Sequence, residues 1–256
     1  MPTPTRRPIR NPNRNPIRSA FVLGSTSAVA VSICRELVQR GCRRFHLVAR
    51  REQENQRLAD ELKSQGAEVS LETVDLLATA HPGATEGVHL AETFDLYLIT
   101  AGSLGDAERA RSDAEEALAI TAANYSGLLP WLTAIASQER IEQPGRLWVF
   151  TSVAADRGRP SNYHYGAAKA ALTTFCEGLM LRCHGKPFAV RILKAGFMAT
   201  PMTVGKAPPA LCASTESVAR DLLRRPDRRG IEYIPWWWKG FMRMVRWLPA
   251  SIATKL

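Results

Sequence analysis

The chain has 256 residues, 45% of them hydrophobic, and a formal net charge of +10, which allows one α/β domain with a single large core. The charge sits at the ends: residues 1–18 hold five Arg and no acid, residues 220–256 hold nine cations against three acids, and the middle is close to neutral. With no zinc-finger, basic-helix or RNA-type aromatic motif in that middle, nucleic acid is excluded as a partner.

Residues 1–18 space Pro2, Pro4, Pro8, Pro12 and Pro16 among Arg and Asn and read as a disordered basic tail, too poor in apolar residues to fold alone. The tail lacks the apolar stretch of a secretory signal, so a cytoplasmic location is expected. Residues 19–235 then alternate strand-like and helix-like runs. The strand-like runs are Ala20 to Leu23, Phe45 to Val48, Val69 to Leu71, Phe94 to Ile99, Arg146 to Thr151, Phe188 to Leu193 and Ile231 to Ile234. Seven largely apolar strands separated by amphipathic segments predict a doubly wound parallel sheet, a Rossmann fold with helices on both faces. Ligands of such a sheet bind beyond the carboxyl ends of the strands.

The segment Val22 to Ala30 follows the first strand and opens a helix, where unpaired N–H groups would receive a dinucleotide pyrophosphate. Gly24, Thr26, Ser27 and Val29 are the candidate contacts. After the second strand, Arg50 and Arg51 stand where an acid would bind the ribose hydroxyls of NAD. Two guanidiniums suit a 2′-phosphate, which favours NADP(H) over NAD(H). Farther on, Tyr165 and Lys169 fall on adjacent turns of one helix face, where the ammonium is expected to pull the phenol pKa down. Ser152, ending the fifth strand, would reach the same reacting oxygen. Cys34, Cys42, Cys176, Cys183 and Cys212 have no Cys-x-x-Cys spacing and read as reduced packing residues. No two His are four apart, so no metal site is expected.

In Asn124, Ser152 and Tyr165-Gly-Ala-Ala-Lys169 the chain resembles the short-chain dehydrogenase/reductase family over roughly residues 19–235. The resemblance implies an NAD(P)-dependent oxidoreductase with Asn124, Ser152, Tyr165 and Lys169 as catalytic group, Tyr165 and Lys169 also touching the cofactor. Tyr165 would deliver a proton, Lys169 would lower its pKa and grip the nicotinamide ribose, and Asn124 would hold a relay water. The resemblance also assigns the adenine to Asp75 and Leu76, the turn after the fourth strand to Ala101 and Gly102, and the carboxamide to Gly196, Met198 and Thr200. The family's glycine-rich loop has glycines where this chain has Ala28 and Ala30. Their methyl groups would be damaging if either position needs a positive φ.

Residues 236–256 form an aromatic and basic carboxyl-terminal segment. A helical wheel places Trp237, Phe241, Met244, Val245 and Leu248 on one face and Lys239, Arg243 and Arg246 on the other. That pattern suits a peripheral membrane surface or a lid over a lipid-like substrate; packing on the core or a subunit contact is the alternative. Within the family, Ala101 to Glu108, Asn124-Tyr125 and Pro235 to Pro249 look most like decaprenylphosphoryl-keto-ribose reductases. This resemblance implies NADPH-dependent reduction of a keto group on a lipid-linked sugar or similar amphiphile, at the inner face of the membrane. Two other readings stay open: a soluble carbonyl or acyl reductase that forms a homo-oligomer through its tail, and a non-enzymatic nucleotide sensor.

Overall fold

Seven parallel strands form one sheet in the order β3-β2-β1-β4-β5-β6-β7 in the computed structural model, which describes residues 16–81, 88, 90, 92–200 and 212–254. Residues 1–15 of the basic tail lie outside the described residues, as does the stretch 201–211. In chain order the elements are β1 (Ser19–Leu23), α1 (Ala28–Gln39), β2 (Arg44–Ala49), α2 (Glu52–Ser64), β3 (Glu68–Thr73) and β4 (Leu96–Ile99). There follow α3 (Ala114–Asn124), α4 (Leu129–Ile135), α5 (Gln138–Ile141), β5 (Gly145–Ser152), α6 (Tyr163–Arg182) and β6 (Phe188–Ala195). The chain closes with α7 (Thr215–Arg224), β7 (Gly230–Ile234), α8 (Trp238–Trp247) and α9 (Ala250–Ala253).

Each expected strand is present, and alternation along it divides the core in two. Ala20, Val22, Phe45, Leu47, Leu96, Leu98 and Trp148 point to one face and pack against α1, α2 and α7. Phe21, Leu23, Val48, Tyr97, Ile99, Leu147 and Val149 point to the other, against α4 and α6. The outermost strands β3 and β7 are only partly buried, whereas β5 and β6 are buried throughout. β4 begins two residues later than its apolar run because Asp95 serves another purpose. Its carboxylate accepts from the Arg18 and Ser19 N–H groups at 2.8 and 3.0 Å and anchors the start of β1. Cys34, Cys42, Cys176 and Cys183 are buried, and burial pushes their thiols up, which keeps them as packing groups.

The carboxyl-terminal helix corrects the helical-wheel expectation. Trp238, Met242 and Val245 form the buried stripe, packed with Val153, Phe197 and Tyr233, while Met244 is 56% and Phe241 40% exposed. Aromatic residues occur on every side of this helix, so the wheel alone could not choose its inner face. Gly196 makes the choice: a Cβ there would stand 1.9 Å from the Trp238 indole nitrogen, so only glycine admits that ring. Among the described residues no helix is long and apolar enough to cross a membrane.

Candidate active site

The carboxyl ends of β1, β4, β5 and β6 carry the expected residues to one edge of the sheet. Gly24 follows β1 with φ +89°, and its Cβ would lie 2.4 Å from the Ala101 nitrogen, so this position requires glycine on two counts. The Thr100 hydroxyl donates to the Gly24 carbonyl at 2.9 Å and ties the two loops together. Ser25 is fully buried and donates to Asn55 Oδ1 at 2.6 Å, while the Asn55 amide donates to the Leu47 carbonyl at 3.0 Å. Asn55 thus stiffens the loop from α2, a contribution its sequence position gave no means of finding.

Ala28 and Ala30 do not damage the loop. No described non-glycine residue has a positive φ; Ala28 starts α1, and Ala30 lies inside it with its N–H capped by Ser27 Oγ at 3.2 Å. The N–H groups of Ala28 and Val29 keep no intrahelical acceptor, as the first turn of any helix dictates. Val29 offers only its backbone here, since its side chain is buried in the core. Thr26 is contacted by Arg51, whose guanidinium reaches its carbonyl at 3.2 Å and pairs with Glu54 at 3.0 Å. Arg50 is exposed at the end of β2, with its guanidinium directed to no carboxylate among the described residues. A glycine cradle, two orphan N–H groups and a cation beside them fit a dinucleotide phosphate.

Ser152, Tyr165 and Lys169 converge as expected. The Ser152 hydroxyl caps the 3-10 turn Val153–Asp156, accepting from the Ala154 N–H at 3.1 Å, and acts on the nearby Tyr165 phenol, whose pKa it lowers. Gly166 lets α6 close on this turn, because a Cβ there would meet the Ala154 carbonyl at 3.0 Å. Lys169 is 4% exposed, and its ammonium donates to the carbonyls of Ala101 and Phe150 at 3.5 and 3.4 Å. Asn124 is fully buried at the end of α3. Both its amide hydrogens are engaged, by Ser103 O at 2.6 Å and Ile120 O at 2.8 Å, and its oxygen accepts from the Ser103 N–H at 3.3 Å. The Asn124 amide therefore fixes the segment after Gly102 and has no hydrogen left for a relay water.

The electrostatics differ from the expectation for Tyr165. Burial pushes its pKa up; the Ser152 hydrogen bond and the Arg159 charge oppose that rise. Lys169, 6.0 Å from the ring centroid, is itself pulled down to about 8 by burial, so it is a weaker source of positive potential than an exposed ammonium. Arg159, a residue that the spacing of the motif does not reveal, also acts on the phenol and opposes the rise.

The remaining expected contacts occupy consistent places. Asp75 is exposed beyond β3, accepts from the Leu77 N–H at 3.1 Å, and precedes half-buried Leu76. Gly196 donates to Ile234 O at 2.8 Å, Met198 bridges to Ala213, and Thr200 donates to Met198 O at 2.8 Å. The Trp238 indole N–H lies over Gly196, buried and without a hydrogen-bond partner. No cluster of metal ligands occurs among the described residues.

Comparison with known proteins accords with this geometry. Residues 18–209 match the short chain dehydrogenase family. An uncharacterized oxidoreductase of Streptomyces coelicolor is 32% identical over 93% of this chain and 96% of its own length. Another from Mycobacterium tuberculosis is 37% identical over 59% of this chain and 61% of its own. Among solved structures, an Agrobacterium tumefaciens protein described as a 2-deoxy-D-gluconate 3-dehydrogenase with bound NADP aligns at a TM-score of 0.75. It shares 19% identity and covers 90% of this chain and 100% of its own. A Brucella melitensis 3-oxoacyl-[acyl-carrier protein] reductase with bound NAD aligns at 0.68 with 18% identity, over 90% and 95% of the two chains.

The buried ammonium yields a test that needs no substrate. An unfolded lysine titrates near ~10.4, so between pH 8 and ~10.4 the unfolded chain holds a proton that folded Lys169 has released. Unfolding therefore takes up a proton in that window, and the penalty of burying Lys169, complete at pH 8 and below, is relieved as pH rises. Replacing the side chain, Lys169→Met, removes this dependence. In urea denaturation the stability of the variant relative to wild type is expected to fall by on the order of 2–3 kcal/mol between pH 8 and 10.4. Cys34 and Cys42 titrate in both proteins and cancel, and Cys176, which shares the field of Lys169, is replaced by Ser in both proteins compared. A pH-independent difference would show that Lys169 is not depressed.

Proposed function

This chain belongs to the short chain dehydrogenase family, NAD(P)-dependent oxidoreductases acting on CH–OH and C=O groups, and we propose that it is an NADPH-dependent reductase of a keto group on an amphiphilic substrate. The observation that supports this reading is the convergence of Ser152, Tyr165 and Lys169 at the carboxyl end of β5, where a protonated phenol and a hydroxyl face one small volume. Gly24, Thr26, Ser27 and the N–H of Val29 would hold the pyrophosphate, and Asp75 and Leu76 the adenine. Lys169 would hold the nicotinamide ribose, with Ala101 and Gly102 alongside, and Gly196, Met198 and Thr200 the carboxamide. When bound, the reduced nicotinamide supplies a hydride to the carbonyl carbon.

The protein's own share is to place the carbonyl and manage one proton. Ser152 and Tyr165 donate hydrogen bonds to the carbonyl oxygen. As negative charge grows there, Tyr165 gives up its phenolic proton to it. The phenolate left behind is stabilised by the Arg159 charge, and by the single Ser152 hydrogen once it turns from the product alcohol, and regains a proton from solvent. Replacing Tyr165 by Phe removes the proton donor while leaving the cofactor loop untouched. Turnover is expected to drop by on the order of 10² or more with NADPH affinity nearly unchanged, while the exposed Tyr163 tolerates the same change. Equal turnover in wild type and Tyr165→Phe overturns the assignment.

Preference for NADPH rests on Arg50. NADP and NAD are both bound by structural neighbours, so the fold leaves this choice to side chains. Arg50 stands exposed at the end of β2, next to the loop that Arg51 ties to Thr26, where a fork of donors can take a 2′-phosphate. Arg50→Asp is expected to reverse or erase the preference by replacing attraction with repulsion. Equal kcat/KM for NADH and NADPH in the unaltered protein would refute this reading.

The amphiphilic character of the substrate is supported by α8. Trp236 and Trp247 are 82% and 83% exposed, Met244 lies between them in sequence, and Lys239 and Arg243 are exposed on the same helix. Aromatic rings beside cations suit an anionic lipid surface, and a lipid-linked keto sugar is the amphiphile that the similarity of residues 101–108, 124–125 and 235–249 nominates. In flotation with anionic vesicles, the double variant Trp236→Ser, Trp247→Ser is expected to lose most of its binding. Salt should weaken what remains, since each cation near an anionic leaflet contributes about 1 kcal/mol. Unchanged flotation, or a changed subunit count in the variant, would instead assign the patch to a homo-oligomer contact.

A further inference from the structure

Arg159 lies between the 3-10 turn that follows Ser152 and the start of α6, on backbone that is held in place. Its carbonyl accepts from the Asn162 N–H at 3.3 Å, and that of Pro160 accepts from Arg111 at 3.4 Å. The side chain is half-buried, and its Nε is buried without a hydrogen-bond partner. Neighbouring carboxylates are engaged elsewhere: Glu108 pairs with Arg111, and Asp156 with Lys194. Among the described residues no ion pair includes Arg159, and the group that shares its field is the Tyr165 phenol. Around that phenol the walls are apolar, formed by Leu104, Ala110, Ala117, Ile120 and Ala154.

A buried N–H without an acceptor destabilises a protein by about 1–3 kcal/mol, and a partly desolvated guanidinium without a counter-charge adds to that. Such a group is accounted for when a ligand brings the missing acceptor. A guanidinium presents five donors in a planar fork, which matches the oxygens of carboxylate or phosphate. We propose that Arg159 is the receptor for an anionic substituent of the substrate, a carboxylate or phosphate carried close to the carbonyl that Ser152 and Tyr165 hold. The site would therefore select anionic ketones over neutral ones of the same shape. This anion is separate from the cofactor's phosphates: β2, after which Arg50 follows, lies three strand positions from β5 in the sheet, roughly 14 Å away, and β1, whose loop would take the pyrophosphate, lies two, roughly 10 Å away. The proposal rests on the reductase reading for the identity of the reacting group, though not for the presence of the anion site.

Matched substrate pairs test it with the full chain and NADPH: acetoacetate against its methyl ester, and dihydroxyacetone phosphate against dihydroxyacetone. Wild type is expected to favour the anionic member of at least one pair, and the pair identifies carboxylate or phosphate. In Arg159→Gln the ratio of anionic to neutral kcat/KM should fall by on the order of tenfold or more, chiefly through KM, with Arg159→Lys recovering part of it. Calorimetric titration of acetoacetate and of inorganic phosphate, without cofactor, supplies a readout independent of turnover, and binding of one of them should weaken in Arg159→Gln by a similar factor. Anion binding that depends on Arg159 in a protein that reduces none of the four ketones would support the anion site without turnover, so the site and the reductase reading, which Tyr165→Phe tests, fail separately. Equal losses on both members of each pair, or anion binding unchanged by Arg159→Gln, would overturn the proposal and leave Arg159 acting on Tyr165 alone.

Discussion

The burial of one ammonium organises this site. Lys169 is 4% exposed, and an ion taken that far from water must find oppositely polarised groups within reach. It finds two main-chain carbonyls, from the loop after β4 and from β5, rather than a carboxylate. Holding both at once fixes the distance between two strand ends and the first turns of α6. Gly102 follows from the same requirement, because a Cβ there would stand 2.9 Å from Lys169 Nζ and 2.6 Å from Asn124 Oδ1. Asn124, in turn, locks the next peptide to α3. Lys169, Gly102 and Asn124 are thus bound to one another by close approach.

A second constraint runs along the sheet edge. Gly24 and Ala101 approach so closely that no side chain fits at position 24, and the Thr100 hydroxyl holds that approach from the β4 side. The Thr100 hydroxyl, donating to Gly24 O, ties the two loops. Ser25 and Asn55 then brace the loop from α2. The rigidity that extra glycines would have removed is supplied here by helical alanines, consistent with the higher helix propensity of Ala over Gly.

Much of this was legible from the residues. The strands were visible because parallel strands buried on both faces read as short apolar runs, and Ser152, Tyr165 and Lys169 were visible because helix geometry converts their spacing into proximity. Three things were not. The sense of the Tyr165 shift depends on how deeply the phenol is buried, and burial is a tertiary property that no spacing encodes. The inner face of α8 depends on an absent side chain at Gly196, far away in sequence. Arg159 sits in a loop without periodicity, where a cation is ordinarily solvated, and what distinguishes it is a buried Nε with no hydrogen-bond partner among the described residues.

The carboxyl-terminal helix is joined to the reacting group by more than apolar packing. Asp156, the last residue of the 3-10 turn that Ser152 caps, receives the Lys194 ammonium from β6 and the Tyr233 hydroxyl from β7 at 2.8 Å. Its carbonyl accepts from Arg246, while Arg157 donates back to the carbonyls of Val245 and Arg246 at the end of α8. Breaking one partner of such a buried ion pair leaves the other charge uncompensated, so the turn and the helix are stable only together. The loop that carries Arg159 begins inside this clamp and ends at α6, where Tyr165 begins its work. The exposed tryptophans and the half-buried guanidinium therefore belong to one rigid assembly. Displacing α8 would thus shift the same turn that fixes Ser152.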